Sequence, residues 1–226
     1  MSAVASARAH APSALPDILP IFPLTGAVLL PNGRLPLNVF EPRYLAMVDD
    51  VLGQGRIIGM IQPTEPETKD NPVPSVYRIG CAGRITSFSE SDDGRFLIAL
   101  TGLCRFSIAE ELPLDKPWRR VRPDWSTFLH DLNPPAEDIA IDRPRLIQAL
   151  EPYFKEEGLQ LDWGMVENTP NDVLISALAM ICPLEPNEKQ ALLEAPDLEA
   201  RASVLTTLLE MACMPKPAEG EGGAKH

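Results

Sequence analysis

The stretch FLIALTGLCRFSI, residues 96–108, decides the fold. Its even positions are apolar or glycine, whereas its odd positions include Thr101, Arg105 and Ser107. Alternation with a period of two predicts a β-strand with one buried face. At about 3.3 Å per residue this strand is too long to stay straight in a small domain, so we expect it to bend at Gly102. The side chains expected to share one interior are Phe96, Ile98, Phe106 and Ile108.

An upstream run of residues completes a hairpin with this strand. Residues 79–85 alternate in the same way, and Asp92-Asp93-Gly94 separates the two runs as a turn. A loop of two or four residues would place the apolar side chains of both runs on one face. A three-residue loop would turn one of the two sets outward. A long hairpin bent at a glycine indicates a small barrel or a strongly coiled sheet.

The balance of charge restricts the classes of partner. The chain has 226 residues, of which 32 are acidic and 20 are basic, and its formal net charge is -12. Such a chain repels phosphate backbones, so nucleic acid and anionic membrane surfaces are disfavoured partners. No run approaches the roughly eighteen consecutive apolar residues of a membrane span, so we expect no transmembrane segment.

Cysteine and histidine usage predicts neither a metal site nor a cofactor. The cysteines are widely spaced and stand in apolar runs, which favours buried free thiols in a reducing compartment, and hence a cytoplasmic location. These cysteines are Cys81, Cys104, Cys182 and Cys213. His130 stands in a loop flanked by proline and the other two histidines lie near the chain ends, so we interpret all three as solvated.

Residues 17–125 read as short strands interrupted once by a helix. Four prolines confine the strands of residues 17–40 to edges or rims, and Asn32-Gly33 predicts a turn between runs at 28–30 and 35–39. Residues 41–53 predict a helix with Pro42 at its first position, and residues 56–62 predict a strand. Residues 118–125, WRRVRPDW, predict a closing strand whose three arginines are interpreted as a solvated or salt-bridged face rather than an anion site.

The hydrophobic period changes to that of helices from about Ser126. Helices are predicted over 142–157, 171–181 and 186–194, followed by one that is capped by Asp197. The resulting division has a disordered leader at 1–14, a strand-rich subdomain at 15–125, a helical subdomain at 126–213 and a disordered tail at 214–226. Short connections containing proline indicate that the helices pack on one another.

The motifs of common catalytic sites do not occur in the sequence. Neither phosphate-binding glycine loop is present, and the zinc-protease and serine-hydrolase motifs are also missing. Neighbouring acidic pairs lie at helix ends or turn tips, where solvation explains them. We therefore expect no catalytic residues and predict that the chain is not an enzyme.

Several spaced motifs follow one another in a recognisable order. They are LPDILPIFPL at 15–24, LLP at 29–31, LPL at 35–37, YRIGCAGRI at 77–85, LTGLCRF at 100–106 and PNEKQALLE at 186–194, the last followed by Asp197 and Arg201. In this order they resemble the Lon protease N-terminal domain over about residues 15–213. The resemblance implies an α+β fold, a PUA-like β-barrel with one inserted helix followed by an α-helical bundle.

Two departures limit what the resemblance implies about activity. The sequence ends where a Lon protease would continue into its AAA+ motor and its Ser-Lys peptidase, so ATP-driven proteolysis is not carried over. FEPRY at 40–44 replaces the Gly-Arg entry of the protease form and is more similar to stand-alone and RING-linked members. The resemblance therefore implies a non-catalytic module that binds protein or peptide clients, for example an adaptor in protein quality control.

Five residues are the candidates for the peptide-binding surface. They are Leu30, Pro31, Arg43, Tyr44 and Trp118. The four apolar and aromatic members are candidates for an exposed patch, but core packing is the favoured interpretation for Tyr44 and Trp118, and a surface ion pair is the favoured interpretation for Arg43. An RNA-binding PUA-like protein and an uncharacterised hydrolase are the alternative functions. The sequence specifies neither the clients nor the oligomeric state.

Overall fold

Six strands are followed by a succession of helices along the chain. The computed structural model describes residues 15–68, 70–71, 73–133 and 140–214. The predicted leader lies outside these residues, as does the predicted tail beyond Met214. The strands are β1 Leu19–Pro23, β2 Arg34–Val39, β3 Ile57–Ile61, β4 Ile79–Glu90, β5 Phe96–Glu111 and β6 Arg120–Asp124. The helices are α1 Pro42–Leu52, α2 Arg143–Glu156, α3 Trp163–Asn168, α4 Asn171–Ile181, α5 Pro186–Glu194 and α6 Leu198–Ala212, with a 3-10 helix at Ser126–Leu132.

Five of the strands form a closed ring of pairings. The sheet order is β2-β5-β4-β3-β1-β6, and β6 pairs again with β5. β1 runs parallel to β3, and the other pairs in the ring are antiparallel. We call β5, β4, β3, β1 and β6 the strand ring. β2 lies outside it and pairs only with β5 among the described strands.

The side chain of Phe106 fills the centre of one hydrophobic cluster. This cluster draws Leu19, Ile21, Ile57, Ile61, Ala82, Leu103, Cys104, Phe106, Val121 and Phe128 from the strand ring and the 3-10 helix. Phe106 has no exposed surface. A Cβ atom at Gly80 would lie 2.7 Å from its Cζ, so the neighbouring strand needs glycine at this position. Close packing around one aromatic ring therefore explains this glycine.

The prediction that one interior contains the whole β5 alternation is wrong. Phe96 and Ile98 belong to the cluster shared with the helices, whereas Phe106 and Ile108 pack in the other cluster. The pairs Gly83–Gly102 and Ala82–Cys104 leave Leu103 without a partner opposite it. This β-bulge changes the phase of the alternation, so the two halves of β5 present their even positions to different cores.

The loop of the β4–β5 hairpin has three residues, the length that places the apolar side chains of the two strands on different faces. The Ser91 N–H donates to the Arg95 carbonyl over 2.9 Å, and Gly94 has φ of 77°. Cys81 accordingly pairs with Arg105, and Ala82 with Cys104. The two buried cysteines of the hairpin therefore belong to different clusters.

Most of the predicted helices begin and end where local signals place them. α4 and α5 have the predicted bounds, Pro42 occupies the first turn of α1, and the side chain of Asp197 accepts the Ala200 N–H at the start of α6. The run at 28–30 is not a strand, and the 3-10 helix and α3 are additional elements. Across the described ranges, the helices are too short or too polar to cross a bilayer.

Two glutamines join the strand ring to α5. Gln62 is fully buried, and its Nε2 donates to the Pro186 carbonyl over 2.9 Å and to Gln190 Oε1 over 3.1 Å. Gln190 Nε2 donates in turn to the Ile79 carbonyl over 3.0 Å. Because buried amides are stabilised only when they are hydrogen-bonded, these contacts fix α5 against β3 and β4.

Candidate binding groove

A groove of about 590 Å³ lies between β2 and α4. The loop before β2 forms one wall and α4 forms the other, while β5, the 3-10 helix and the first turn of α6 also contribute. Its lining residues are Pro31, Asn32, Gly33, Arg34, Leu35, Pro36, Arg105, His130, Asp131, Asn133, Asp172, Val173, Ser176, Ala177, Met180, Ile181, Asp197, Leu198 and Arg201. We call this space the groove. Its size is typical of sites for small ligands or short peptide segments.

The α4 wall presents exposed apolar side chains to the groove. Val173 is 51% exposed and Ile181 is 61% exposed, and Ala177 between them is exposed as well. Their spacing of four residues places them on one side of the helix. The opposite side of α4 is buried through Leu174, Ile175, Leu178 and Ala179. α4 is thus apolar on both sides, although one of them faces solvent across the groove.

The opposite wall is held in place by backbone hydrogen bonds to β5. The Asn32 N–H donates to the Gly102 carbonyl over 3.0 Å, and the Gly102 N–H donates to the Gly33 carbonyl over 2.9 Å. A Cβ atom at Gly102 would overlap the Leu30 carbonyl oxygen. The predicted turn at Asn32-Gly33 is confirmed, since Asn32 has φ of 62°. The absence of a side chain at Gly33 leaves room for Met180 of α4.

The floor of the groove contains a buried ion pair. Arg105 is 1% exposed, and its Nε and Nη2 each donate to the Asp131 carboxylate over 2.9 Å. The Arg105 backbone N–H also donates to this carboxylate, over 3.0 Å. The guanidinium lies 4.5 Å from the centre of the Phe128 ring. A buried ion pair is tolerated when it is bidentate and its remaining donors and acceptors form further hydrogen bonds.

Arg105 also binds the carbonyl groups at the end of α5. Its Nη1 donates to the carbonyls of Leu193 and Ala195, and its Nη2 donates to that of Pro196. A cation at the C-terminal end of a helix satisfies carbonyls that lack helical partners and complements the helix dipole. His130 Nε2 lies 3.1 Å from Arg105 Nη2, and it accepts in this contact because a guanidinium only donates.

Arg201 is the second buried arginine at the groove. It is 5% exposed and belongs to the first turns of α6, where its Nε donates to the Leu192 carbonyl over 2.8 Å. Its Nη2 is buried and has no hydrogen-bond partner within the described ranges. Burial, followed by the neighbouring charge of Arg105, lowers the pKa of Arg201 to about 10, so the group remains charged at neutral pH.

Three of the predicted candidates do not form the exposed patch that the sequence suggests. Leu30 has no exposed surface, Tyr44 is 5% exposed and Trp118 is 6% exposed. Leu30 and Tyr44 are not exposed because they pack in the cluster shared with the helices. The ring centres of Tyr44 and Phe22 lie 4.2 Å apart in an edge-on arrangement. Trp118 packs in the same cluster. The expected exposure of Leu30 is therefore wrong, the core-packing interpretation of Tyr44 and Trp118 is confirmed, and peptide contact by all three stays a prediction.

The other two candidates lie apart from each other. Pro31 lines the groove, which Arg43 does not. Arg43 forms ion pairs with Glu41 and Glu67, each at 2.8 Å, and its guanidinium lies 4.6 Å from the Tyr44 ring centre. These contacts fit the ion-pair interpretation of Arg43. Of the five candidates, the groove thus includes Pro31 alone.

Each arginine of β6 and its approach pairs with a carboxylate. Arg119 pairs with Glu111. Arg120 pairs with Asp115, and Arg122 with Glu110. The salt-bridged interpretation of this cluster is confirmed, and none of the three charges is left as an isolated site for phosphate.

The thiols of the chain are poorly suited to nucleophilic chemistry. Burial raises the pKa of Cys104 and of Cys182 to about 12, and it raises the pKa of Cys81 well above its usual value. All four cysteines are free, as predicted, and Cys213 alone is partly exposed. Thiols that stay protonated at neutral pH are weak nucleophiles. Within the described ranges, histidine, cysteine and acidic side chains form no cluster of three or more that could hold a metal ion.

A family description accounts for most of the chain. The family model for the ATP-dependent protease La (LON) substrate-binding domain matches residues 18–211. The chain belongs to this family. It is similar to Lon protease 2 of Myxococcus xanthus, with 28% identity over 199 residues, and to the Lon protease of Dictyoglomus thermophilum, with 29% identity over 199 residues. Each match covers 86% of this chain and 24% of the relative, so the chain spans about a quarter of their length.

Solved structures of Lon N-terminal domains share the fold. A Lon N-terminal domain protein from Xanthomonas campestris superimposes with a TM-score of 0.57 at 26% identity, over 88% of this chain and 99% of the other. The N-terminal domain of a Mycobacterium avium complex Lon protease gives a TM-score of 0.52 at 17% identity, over 85% of this chain and 97% of the other. The second likeness concerns the fold alone. Together they place this chain among mixed α and β Lon N-terminal domains.

In this Lon substrate-binding family member, the sequence does not reveal the charged floor of the groove. Arg105 falls on an odd position of β5, which the alternation assigns to the solvent face, and the bulge at Leu103 reverses that assignment. Asp131 stands in no motif, and the family motif that includes Arg201 does not by itself place this residue beside Arg105. A signal was nevertheless present in the α4 sequence, where apolar residues occupy more of the helix surface than one buried face requires.

Proposed function

We propose that the groove binds apolar segments of client proteins without catalysing their conversion, as a recognition module in protein quality control within the cytoplasm. The observation that carries this proposal is the exposed apolar side of α4. Val173 and Ile181 are both more than half exposed and face a preformed groove. Apolar side chains that line a concave surface are typical of peptide-binding sites.

The groove geometry favours an extended or helical segment over a small polar molecule. The two walls present Pro31, Leu35 and Met180 along with the charged Arg34 and Asp172, and the buried ionic groups lie at the floor. Apolar side chains of a client would pack on α4, and its backbone would lie between α4 and the loop before β2. Membership of a substrate-binding family supports protein segments as the class of ligand.

The groove variants Val173→Glu and Ile181→Glu test this proposal. Each places a carboxylate where an apolar client side chain would pack, so we expect each to weaken binding about tenfold. The measurement is fluorescence anisotropy of a labelled apolar peptide with an amidated C-terminus. Since both side chains are exposed, the variants should fold normally, which circular dichroism can verify.

Met211→Glu is the matched control for Ile181→Glu. Met211 is 60% exposed, comparable to Ile181, but it lies near the far end of α6 and does not line the groove. We expect it to bind the peptide within about twofold of the parent protein. Equal binding by all three variants, or no binding by the parent protein, would rule out the groove as the client site.

Of the five residues that the sequence suggests for peptide contact, the proposal includes only Pro31. Leu30, Tyr44 and Trp118 are all buried in the cluster shared with the helices, so a client would reach them only after local rearrangement. Arg43 is occupied by two glutamates. An RNA-binding function is not favoured, because Arg119, Arg120 and Arg122 are all paired with acids.

We further propose that the strand ring is a PUA-like β-barrel. β6 pairs with both β1 and β5, so the pairing returns to the strand from which it starts. A ring of five strands around Phe106 is small enough to be filled by side chains, as small barrels are. Amide exchange tests the closure: the β5–β6 hydrogen bonds should be protected as strongly as those of β4–β5.

A further inference from the structure

Arg201 has hydrogen-bonding capacity that the described structure does not use. Only its Nε donates, to Leu192, and its buried Nη2 has no partner among the described residues. A buried donor without an acceptor is unfavourable, and such a group in a folded protein requires a specific explanation. Arg201 lines the groove, although Nη2 itself is covered, so a ligand there can supply the acceptor only when the guanidinium turns toward it.

The acidic residues near Arg201 are already engaged. Asp131 accepts three hydrogen bonds from Arg105, and Asp197 accepts the Ala200 N–H as the cap of α6. The Arg105 guanidinium is in turn occupied by Asp131 and by the carbonyls after α5. Arg201 is therefore the buried charge of the groove with donors to spare.

We propose that Arg201 binds a carboxylate of the client segment, so that the groove selects apolar segments carrying a carboxylate over neutral ones. This inference rests on the function proposed above. The carboxylate has two possible sources, the C-terminal end of a chain or an aspartate or glutamate side chain. In either case the apolar part of the segment packs on α4 while the carboxylate reaches the floor.

The geometry of the guanidinium favours a carboxylate. Its Nη1 and Nη2 are coplanar, so once the guanidinium turns to bring the buried Nη2 to the groove, the two can donate parallel hydrogen bonds to the two oxygens of one carboxylate. A phosphate dianion would carry more charge past Asp172 and Asp197, which also line the groove, and the chain as a whole has a net charge of -12. A single negative charge is therefore the better match.

Three labelled peptides with one apolar sequence test the preference on the unmodified protein. The first has a free C-terminal carboxylate, the second is amidated, and the third is amidated with one internal glutamate. We expect the first or the third to bind about tenfold or more tightly than the second, as charged hydrogen bonds would predict. A gain for the first alone identifies the chain end as the source, and a gain for the third alone identifies the side chain.

Two arginine variants assign the effect to its residue. Arg201→Met should abolish the gain from the carboxylate, whereas Arg95→Met, at an exposed arginine of the β4–β5 turn that does not line the groove, should retain it. If Arg201→Met does not fold, the comparison of the three peptides on the unmodified protein still tests the carboxylate preference. Equal affinity for all three peptides, with binding still sensitive to Ile181→Glu, would overturn the carboxylate preference and leave the client groove intact. No binding of any peptide would overturn both.

Discussion

One glycine fixes how the loop before β2 lies against β5. Gly102 exchanges backbone hydrogen bonds with Asn32 and Gly33, and a Cβ atom there would overlap the Leu30 carbonyl oxygen. We expect Gly102→Ala to lower the free energy of unfolding by about 3 kcal/mol, because backbone atoms cannot move aside as a flexible side chain can. Urea unfolding followed by tryptophan fluorescence measures the change.

A second glycine provides the control for this residue-scale prediction. The nearest atom to a Cβ at Gly53 is the Asp50 carbonyl oxygen at 3.8 Å, an ordinary contact, and the φ of Gly53 is -84°. Gly53→Ala should change the free energy of unfolding by less than about 0.5 kcal/mol. Similar losses for the two variants would mean that the approach of Leu30 to β5 is not the cause.

At the scale of elements, β5 shows what alternation can and cannot predict. Its existence and its start at Phe96 follow from its own residues, although the strand continues beyond the predicted end at Ile108 to Glu111. The faces that its side chains occupy do not follow from them, because the unpaired Leu103 shifts the phase by one position. A bulge is specified by both strands of a pair, so the residues of β5 alone do not reveal it. Arg105 changes from an expected surface residue to a buried one for this reason.

The attachment of α5 to the sheet leads to a prediction at the same scale. Gln62→Leu would leave the Gly26 N–H and the Pro186 carbonyl without their glutamine partner, and Gln190 would lose a donor. We expect a loss of about 3 kcal/mol in the free energy of unfolding, since orphaned buried polar groups cost more than a hydrogen bond contributes. The midpoint of urea unfolding reports this loss.

An exposed glutamine distinguishes the loss of this network from a general effect of leucine. Gln54 is exposed beyond the end of α1, and Gln54→Leu should leave the midpoint nearly unchanged. If Gln62→Leu were equally harmless, the hydrogen bonds between the strand ring and α5 would contribute little to stability.

At the scale of the whole molecule, three buried thiols report whether the strand ring and the helices unfold together. Cys104 lies in the ring cluster and Cys182 in the cluster shared with the helices. Burial raises the pKa of both to about 12, so at pH 8 few of these thiols are ionised while the protein is folded. We expect an aromatic disulfide reagent to modify Cys213 first and the buried thiols only on unfolding.

The urea dependence of this labelling gives the decisive comparison. Gln62, Gln190 and Arg105 bridge the strands and the helices, so Cys104 and Cys182 should become reactive over the same range of urea. Mass spectrometry of the labelled peptides separates the sites. Labelling of Cys182 at clearly lower urea than Cys104 would show that the helices unfold as an independent unit.

The groove was only partly predictable because it depends on contacts between distant segments. Helix bounds follow from local chemistry, such as Pro186 at the start of α5 and the Asp197 cap of α6, and these were predicted correctly. The Arg105–Asp131 pair joins residues from different elements, and Arg201 acquires its unusual position only when α6 packs near them. Composition and spacing carry no direct signal for such an arrangement.

The position of β2 has a consequence for solubility. Under the function proposed above, the domain meets segments able to extend a sheet, and β2 is its open edge among the described strands. Pro36, in the middle of that edge, cannot donate a backbone hydrogen bond, and Arg34 adds a charge at its beginning. Both features discourage the runaway addition of strands that leads to aggregates. A domain with the proposed function would thereby bind apolar polypeptides at its groove without templating fibrils along its open strand.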